Sequence, residues 1–153
     1  MTDLDIDLEL TDEEMHLYSR QILLDGWDIE AQEKLKLANV LIVGCGGIGC
    51  TTAELLARAG VGQITLIDAD TIEMSNLQRQ IAYVEENIGF YKSEILAKRL
   101  KQINPHIRVE SQTVKLYESN AEQLISNQDL VLDGCDNFTT RYLVNQSCKQ
   151  FNV

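Results

Sequence analysis

Apolar residues in this chain follow two periods. Short runs without polar interruption read as buried strands: "NVLIV" at 39–43, "QITLID" at 63–68 and "DLVLDG" at 129–134. A weaker run at 107–114 reads as a further strand. Between them the pattern turns helical. Residues 11–24, "TDEEMHLYSRQILL", open with Thr11 and Glu14 in capping-box spacing. A helix fits 28–38 with Asp28 as its cap. Another follows the glycines after residue 43 and runs to Ala59, where Gly60 stops it. Ile95, Leu96, Leu100 and Ile103 share one face of a helix at 92–103, which Asn104-Pro105 ends. Ser119 and Glu122 are spaced as a second capping box, opening a helix to Ser126, and a last helix spans 139–149. Residues 69–91 show no clear period and read as a functional loop with short helical turns.

Strands and helices therefore alternate after two N-terminal helices. That order predicts a Rossmann-like α/β fold, a mainly parallel sheet with crossover helices. The single proline and the absence of repeats or linkers predict one continuous domain over 11–153. No run approaches the roughly 18 apolar residues of a membrane span. The first residues lack the basic start of a targeting peptide, so the expected compartment is the cytoplasm.

Charge changes the picture at one end only. The formal net charge is −11. Asp3, Asp5, Asp7, Glu9, Asp12, Glu13 and Glu14 contribute seven acids before the first base, leaving 17 acids against 13 bases elsewhere. Residues 1–10 thus read as an acidic, solvated tail. The balance argues against general nucleic-acid binding. Cys45, Cys50, Cys135 and Cys148 form no C-x-x-C pair, so zinc is not expected in this chain. Cys45 and Cys50 read as small packed residues, and His16 and His106 as surface residues.

Gly44-x-Gly46-x-x-Gly49 follows a strand and opens a helix, the context a dinucleotide-binding fingerprint requires. Such glycines permit a tight turn, close backbone approach and close helix packing. The helix start then offers free N–H groups to a phosphate. Asp68 ends the second strand, 19 residues beyond Gly49, where a carboxylate can accept from ribose hydroxyls. The ligand is a nucleotide, and the glycines alone do not choose between NAD and ATP.

Residues beyond Asp68 bear on that choice. Asn76 and Arg79 lie in the loop after the second strand, and Lys92 starts the next helix. An amide and two cations at one phosphate site suit a triphosphate under attack at phosphorus. Asp136 and Asn137 lie just past the last strand, and ligands of parallel sheets bind beyond strand carboxyl ends. Asp136 is placed to hold Mg²⁺. Taken singly, Arg79 reads as a surface ion pair, Lys92 as a solvated helix residue and Asp136-Asn137 as a helix cap. Their common placement makes the case.

The ordered set "YSRQI", "GCGGIG", "DAD....SNLQRQ", "G..K" and "D..DN...R" resembles the ubiquitin-activating-type adenylyltransferases, and among them the bacterial sulfur-carrier activators of the ThiF/MoeB/HesA group. The resemblance runs from about Leu10 to the end. It implies that Gly47 lies against ATP and that Asp68 binds the ribose. It implies phosphate contacts for Asn76, Arg79 and Lys92, and a magnesium ligand in Asp136 beside Asn137. Arg20 resembles an arginine that reaches a neighbouring subunit's phosphates, which implies a homodimer. The implied reaction is adenylation of the C-terminal glycine carboxylate of a ubiquitin-like sulfur carrier, held by its Gly-Gly tail, with release of pyrophosphate. The carrier would be of the molybdopterin-synthase small-subunit type or the thiamine type.

Departures accompany the match. "GFYK" at 89–92 carries Phe-Tyr where relatives often have a polar residue and proline, while the spacing to Lys92 is kept. The resemblance also implies further strands, a carrier-gripping loop and zinc cysteines beyond "KQFNV", so the expectation is a domain incomplete at its C-terminus. Rival readings are an NAD-dependent oxidoreductase, a binding module without turnover, and a tRNA-modifying dehydratase of the same family. The first shares the glycines and Asp68 but gives no reason for Asn76, Arg79, Lys92 and Asp136 together.

Overall fold

The computed structural model describes residues 9–153. The first eight residues of the expected acidic tail lie outside them. The element order is α1 (Asp12–Leu17), α2 (Ser19–Ile22), α3 (Ile29–Leu37), β1 (Asn39–Val43), α4 (Gly47–Ala59), β2 (Gln63–Ile67), α5 (Lys92–Ile103), β3 (Arg108–Gln112), α6 (Glu118–Ile125), β4 (Leu130–Asp133) and α7 (Phe138–Phe151). Two short 3₁₀ turns, Met74–Asn76 and Glu85–Asn87, interrupt the 69–91 loop as expected.

The four strands are parallel, in the order β3-β2-β1-β4. Alternation along them divides the core. Val40, Ile42, Ile64 and Leu66 face one side, against Ala53, Ala57, Leu96 and Leu100 of α4 and α5. Leu41, Val43 and Ile67 face the other, against Leu124 and Ile125 of α6 and Val144 of α7. Helices thus cover both faces, as near-continuous apolar parallel strands require.

Several boundaries depart from the sequence reading, two of them for an identifiable reason. The helix expected over 11–24 is broken at Tyr18, whose backbone (φ −94°, ψ 7°) ends α1. Tyr18 is buried, with its hydroxyl held by Asn104, so a long-range contact overrides local propensity. The box expected from Ser119 and Glu122 does not form. Helix α6 begins two residues earlier, with Tyr117 as its N-cap, because the Asn120 side chain accepts from Tyr117 N at 2.8 Å and donates to Lys115 O at 2.9 Å. The Thr11–Glu14 box and the Asp28 cap are both present. Strands β3 and β4 are shorter than their apolar runs and form the two sheet edges.

Candidate functional site

Register places the loops that matter at one level. Val43 pairs with Ile67 on one side and with Asp133 on the other. Gly44, Asp68 and Gly134 therefore leave the sheet together at its carboxyl edge. Gly44 donates to Ile67 O at 2.9 Å, and Gly134 to Val43 O at 2.8 Å. Gly44 has φ +94°, and a Cβ there would lie 3.0 Å from the Gly134 carbonyl carbon, so a side chain is excluded on both counts. A Cβ on Gly49 would fall 1.8 Å from Gly44 O. Gly49 is the residue that lets α4 press against the turn, beneath the cleft rather than lining it.

An open cleft of about 1880 Å³ lies over this edge. Its walls include Gly44, Gly46, Gly47, Asp68, Asn76, Arg79, Lys92, Asp136 and Asn137. The fold thus brings together every site residue expected from sequence except Gly49 and Arg20. Arg20 is exposed on α2 and does not line the cleft. Among the described residues, Glu13 is paired with His106 and Glu14 with Lys36, not with Arg20.

Each side chain is positioned by an identifiable bond. The Asp68 carboxylate accepts from Cys45 N and from Asp70 N, both at 2.7 Å. It pins the glycine turn to the end of β2 before any ligand arrives, and its remaining lone pairs stay available. Asn76 is buried, and its Oδ1 accepts from Glu73 N at 3.0 Å, which leaves the Nδ2 amino group as its donor. Arg79 is exposed, donates to Ser75 O at 3.0 Å, and runs its stem past Gly47.

Lys92 is buried at the first position of α5, with Nζ 3.9 Å from the exposed Asp70 carboxylate. A cation at a helix N-terminus opposes the helix dipole. Burying it there favours an anion nearby. Asn137 caps α7, accepting from Thr140 N at 2.9 Å, and Asp136 is exposed beside it.

Sequence reasoning missed three residues. Arg141 donates to Cys135 O at 3.0 Å and sits 3.7 Å from the Asp133 carboxylate, so it braces the loop that carries Asp136. Its place in "D..DN...R" was the available signal. Buried Tyr83 donates to Cys45 O at 2.7 Å, tying the long loop to the glycine turn. Gln80 lines the cleft and is buried. The Cys135 thiol, at the same edge, is pushed up to about 12 by burial, with Asp133, Asp68 and Asp136 adding to the effect.

A family model described as the ThiF family matches residues 18–153. The chain belongs to the ThiF family. It is 43% identical over 146 residues to the molybdopterin-synthase adenylyltransferase of Haemophilus influenzae, covering 95% of this chain and 60% of that relative. It is 44% identical over 137 residues to the sulfur carrier protein adenylyltransferase of Thermus thermophilus, covering 90% of this chain and 51% of that relative. The chain thus spans between half and three fifths of the length of these relatives. Among solved structures, the Escherichia coli tRNA N6-threonylcarbamoyladenosine dehydratase in complex with ATP superposes with a TM-score of 0.87 at 32% identity, covering 94% of this chain and 58% of that one. The Rossmann-like parallel sheet is therefore shared with ThiF-type structures.

Proposed function

We propose that this ThiF family chain is the nucleotide half of an adenylyltransferase that activates the C-terminal glycine carboxylate of a ubiquitin-like sulfur carrier. The observation that carries this is the convergence of Asp68, Asn76, Arg79, Lys92 and Asp136 on one cleft at the sheet's carboxyl edge. The names of the relatives at 43% and 44% identity support it.

The carrier carboxylate attacks the α-phosphorus of ATP. One carboxylate oxygen–phosphorus bond forms, and the bond to the bridging oxygen breaks, its electron pair leaving with pyrophosphate. The nucleophile is already charged, so no base is needed, and catalysis is positioning plus charge stabilisation. Asp68 would orient the ribose. Asn76 Nδ2, Arg79 and Lys92 would meet the phosphates where charge develops.

The donor set also fits magnesium. Among the described residues no group of three His, Cys, Asp or Glu could hold a metal alone. Magnesium instead commonly takes one or two carboxylates together with substrate phosphates. Asp136 would hold it, and the bound ion would neutralise phosphate charge. The cleft exceeds the usual 300–1,000 Å³ or so of a small-ligand pocket, which leaves room for a peptide tail beside the nucleotide.

A dehydratase reading within the family shares the ATP step and rests on the TM-score of 0.87. Its lower identity, 32% against 43%, ranks it second. ATP–pyrophosphate exchange separates the two. Exchange should depend on a carrier with a free C-terminal glycine and not on tRNA. In the full-length parent, Arg79→Ala and Lys92→Ala should lower exchange by about 10²–10³-fold while weakening ATP binding less. Equal losses in rate and binding would make both ordinary ground-state ligands. Arg20 is assigned to the partner's phosphates in a homodimer. Mixing full-length Arg20→Ala and Lys92→Ala subunits should then restore part of the exchange, and no recovery in verified mixed dimers would refute it.

A further inference from the structure

One set of hydrogen bonds joins four segments that carry site residues. Cys45 N, in the glycine turn, donates to the Asp68 carboxylate at the end of β2, at 2.7 Å. Ser93 Oγ, on α5, donates to Asp68 O at 3.2 Å. Lys92 N donates to Asp70 O at 3.0 Å. The fourth segment is the turn of the long loop that holds Asn76 and Arg79, and it enters through Tyr83. The Tyr83 hydroxyl donates to Cys45 O at 2.7 Å and has Lys92 O at 3.4 Å.

Short steps connect Tyr83 to that turn. Tyr83 N donates to Gln80 O at 3.2 Å, Gln80 N to Asn76 O at 3.0 Å, and Arg79 N to Asn76 O at 3.2 Å. Cys45 is fully buried, and among the described residues Tyr83 is the one donor that meets its carbonyl oxygen. A hydroxyl has a single proton. The short bond to Cys45 takes it, and Lys92 O is the weaker second acceptor. Burial pushes the Tyr83 phenol up from its ordinary value, so it stays a donor.

We propose that Tyr83 is a positioning residue for adenylate formation. Its hydroxyl fixes the Asn76–Arg79 turn against the glycine turn and the start of α5, so that Arg79 and Lys92 are held towards the same phosphates. The proposal rests on the function proposed above. Tyr83 is buried and does not line the cleft, so it acts through residues that do. Cations that stabilise a departing pyrophosphate must be in place before the charge develops. A displacement of about 1 Å can cost about 10²-fold in rate. ATP binding is spread over more contacts and should suffer less.

Tyr83→Phe in the full-length parent keeps the ring and removes the hydroxyl. Well below the melting temperature, ATP–pyrophosphate exchange should fall roughly 10- to 100-fold at saturating ATP and a carrier with a free C-terminal glycine. The Kd for ATP by calorimetry should change less than about threefold. A residue that only held the fold would lower the melting temperature and leave the rate per folded molecule unchanged, and that result would overturn the proposal. A double-mutant cycle with Lys92→Ala adds a readout that stability does not move. With Lys92 gone the hydroxyl has less to position, so the rate loss from Tyr83→Phe should shrink by at least about threefold. Equal losses in both backgrounds would also overturn it. Tyr83→p-aminophenylalanine returns an N–H donor to the same place and should regain most of the native rate. A folded variant without that recovery would count equally against the role. No exchange by the native parent would overturn the proposed function itself, and Tyr83 with it.

Discussion

The two ends of α4 are built from the same materials and finished differently. At its C-terminal end the protein satisfies the last carbonyls itself. Asn104 Nδ2 donates to Ala57 O at 2.8 Å and to the Tyr18 hydroxyl at 2.7 Å. Gln32 Nε2 and Gln21 Nε2 donate to Ala59 O at 2.9 and 2.7 Å. Gln32 Oε1 accepts from Trp27 Nε1 at 3.2 Å and from Gln21. At the N-terminal end, Gly46 provides no side-chain cap, and the nearby Gln80 carbonyl oxygen has no partner. Every helix leaves orphan groups at both ends. Here one set is closed by Gln21 of α2, Gln32 of α3 and Asn104 at the end of α5, and the other has no side-chain cap. A buried glutamine is thus structural at Gln32 and unfinished at Gln80, and only the surrounding partners tell them apart.

The largest test of this difference is Gly49→Ala. The new methyl group would lie 1.8 Å from Gly44 O, a backbone atom that cannot swing away. Overpacking usually costs about 1–3 kcal/mol, and a backbone clash belongs at or beyond the top of that range. Urea unfolding should show a loss of at least about 3 kcal/mol, with nucleotide binding lost as the turn shifts. A loss under about 1 kcal/mol would mean that the open end yields easily and is not a rigid cradle.

Asn104→Ala attacks the closed end. It removes the side-chain donor to Ala57 O, which keeps only Gly60 N at 3.2 Å, leaves the Tyr18 hydroxyl without its donor, and leaves His106 N without the acceptor it meets at 3.0 Å. Stranding buried polar groups costs about 1–3 kcal/mol. The expected outcome is destabilisation of about 2–3 kcal/mol in urea, with ATP affinity of the folded protein unchanged. A matching fall in ATP affinity would show that the two ends of α4 are coupled, and would break the comparison.

The sequence carried the open end better than the closed one. The glycine spacing, Asp68 and the polar run "SNLQRQ" sit in short local patterns whose chemistry is readable, and the cleft gathers them. The closed end depends on contacts between residues far apart, such as Tyr18 with Asn104, which no local period reveals. That same contact breaks the expected 11–24 helix. Ser119 and Glu122 had the right spacing for a cap, but Asn120 reached Tyr117 first, so a correct rule pointed to the wrong residue. Gln80 was in plain view inside the quoted motif. What marks it is a partner it lacks, and an unmet bond leaves no trace in a sequence.

The smallest expected effect belongs to Cys135, which reads the character of the open end without disturbing it. Its thiol is pushed up to about 12 by burial first, then by the negative charge and hydrogen bonding of Asp133, with Asp68 and Asp136 adding to it. At neutral pH it is therefore a neutral group, donating weakly to Val43 O at 3.4 Å, and not a nucleophile. The sign of its linkage follows. Below pH 9, the ordinary value, folded and unfolded chains both hold the proton, and this contribution to stability is fully present. As pH rises from 9 towards about 12, the unfolded chain loses the proton first, so the contribution falls. Cys135→Ala should change stability by less than about 1 kcal/mol at pH 7, the scale of one weak hydrogen bond. It should also flatten the alkaline loss. Iodoacetamide labelling of the native protein, followed residue by residue, should show Cys135 still unreactive at pH 9, while Cys148, raised by burial alone, is modified sooner. Half-maximal labelling of Cys135 near pH 9 would mean that the acids of this edge do not act on it, and that the open end is more solvated than a half-buried thiol implies.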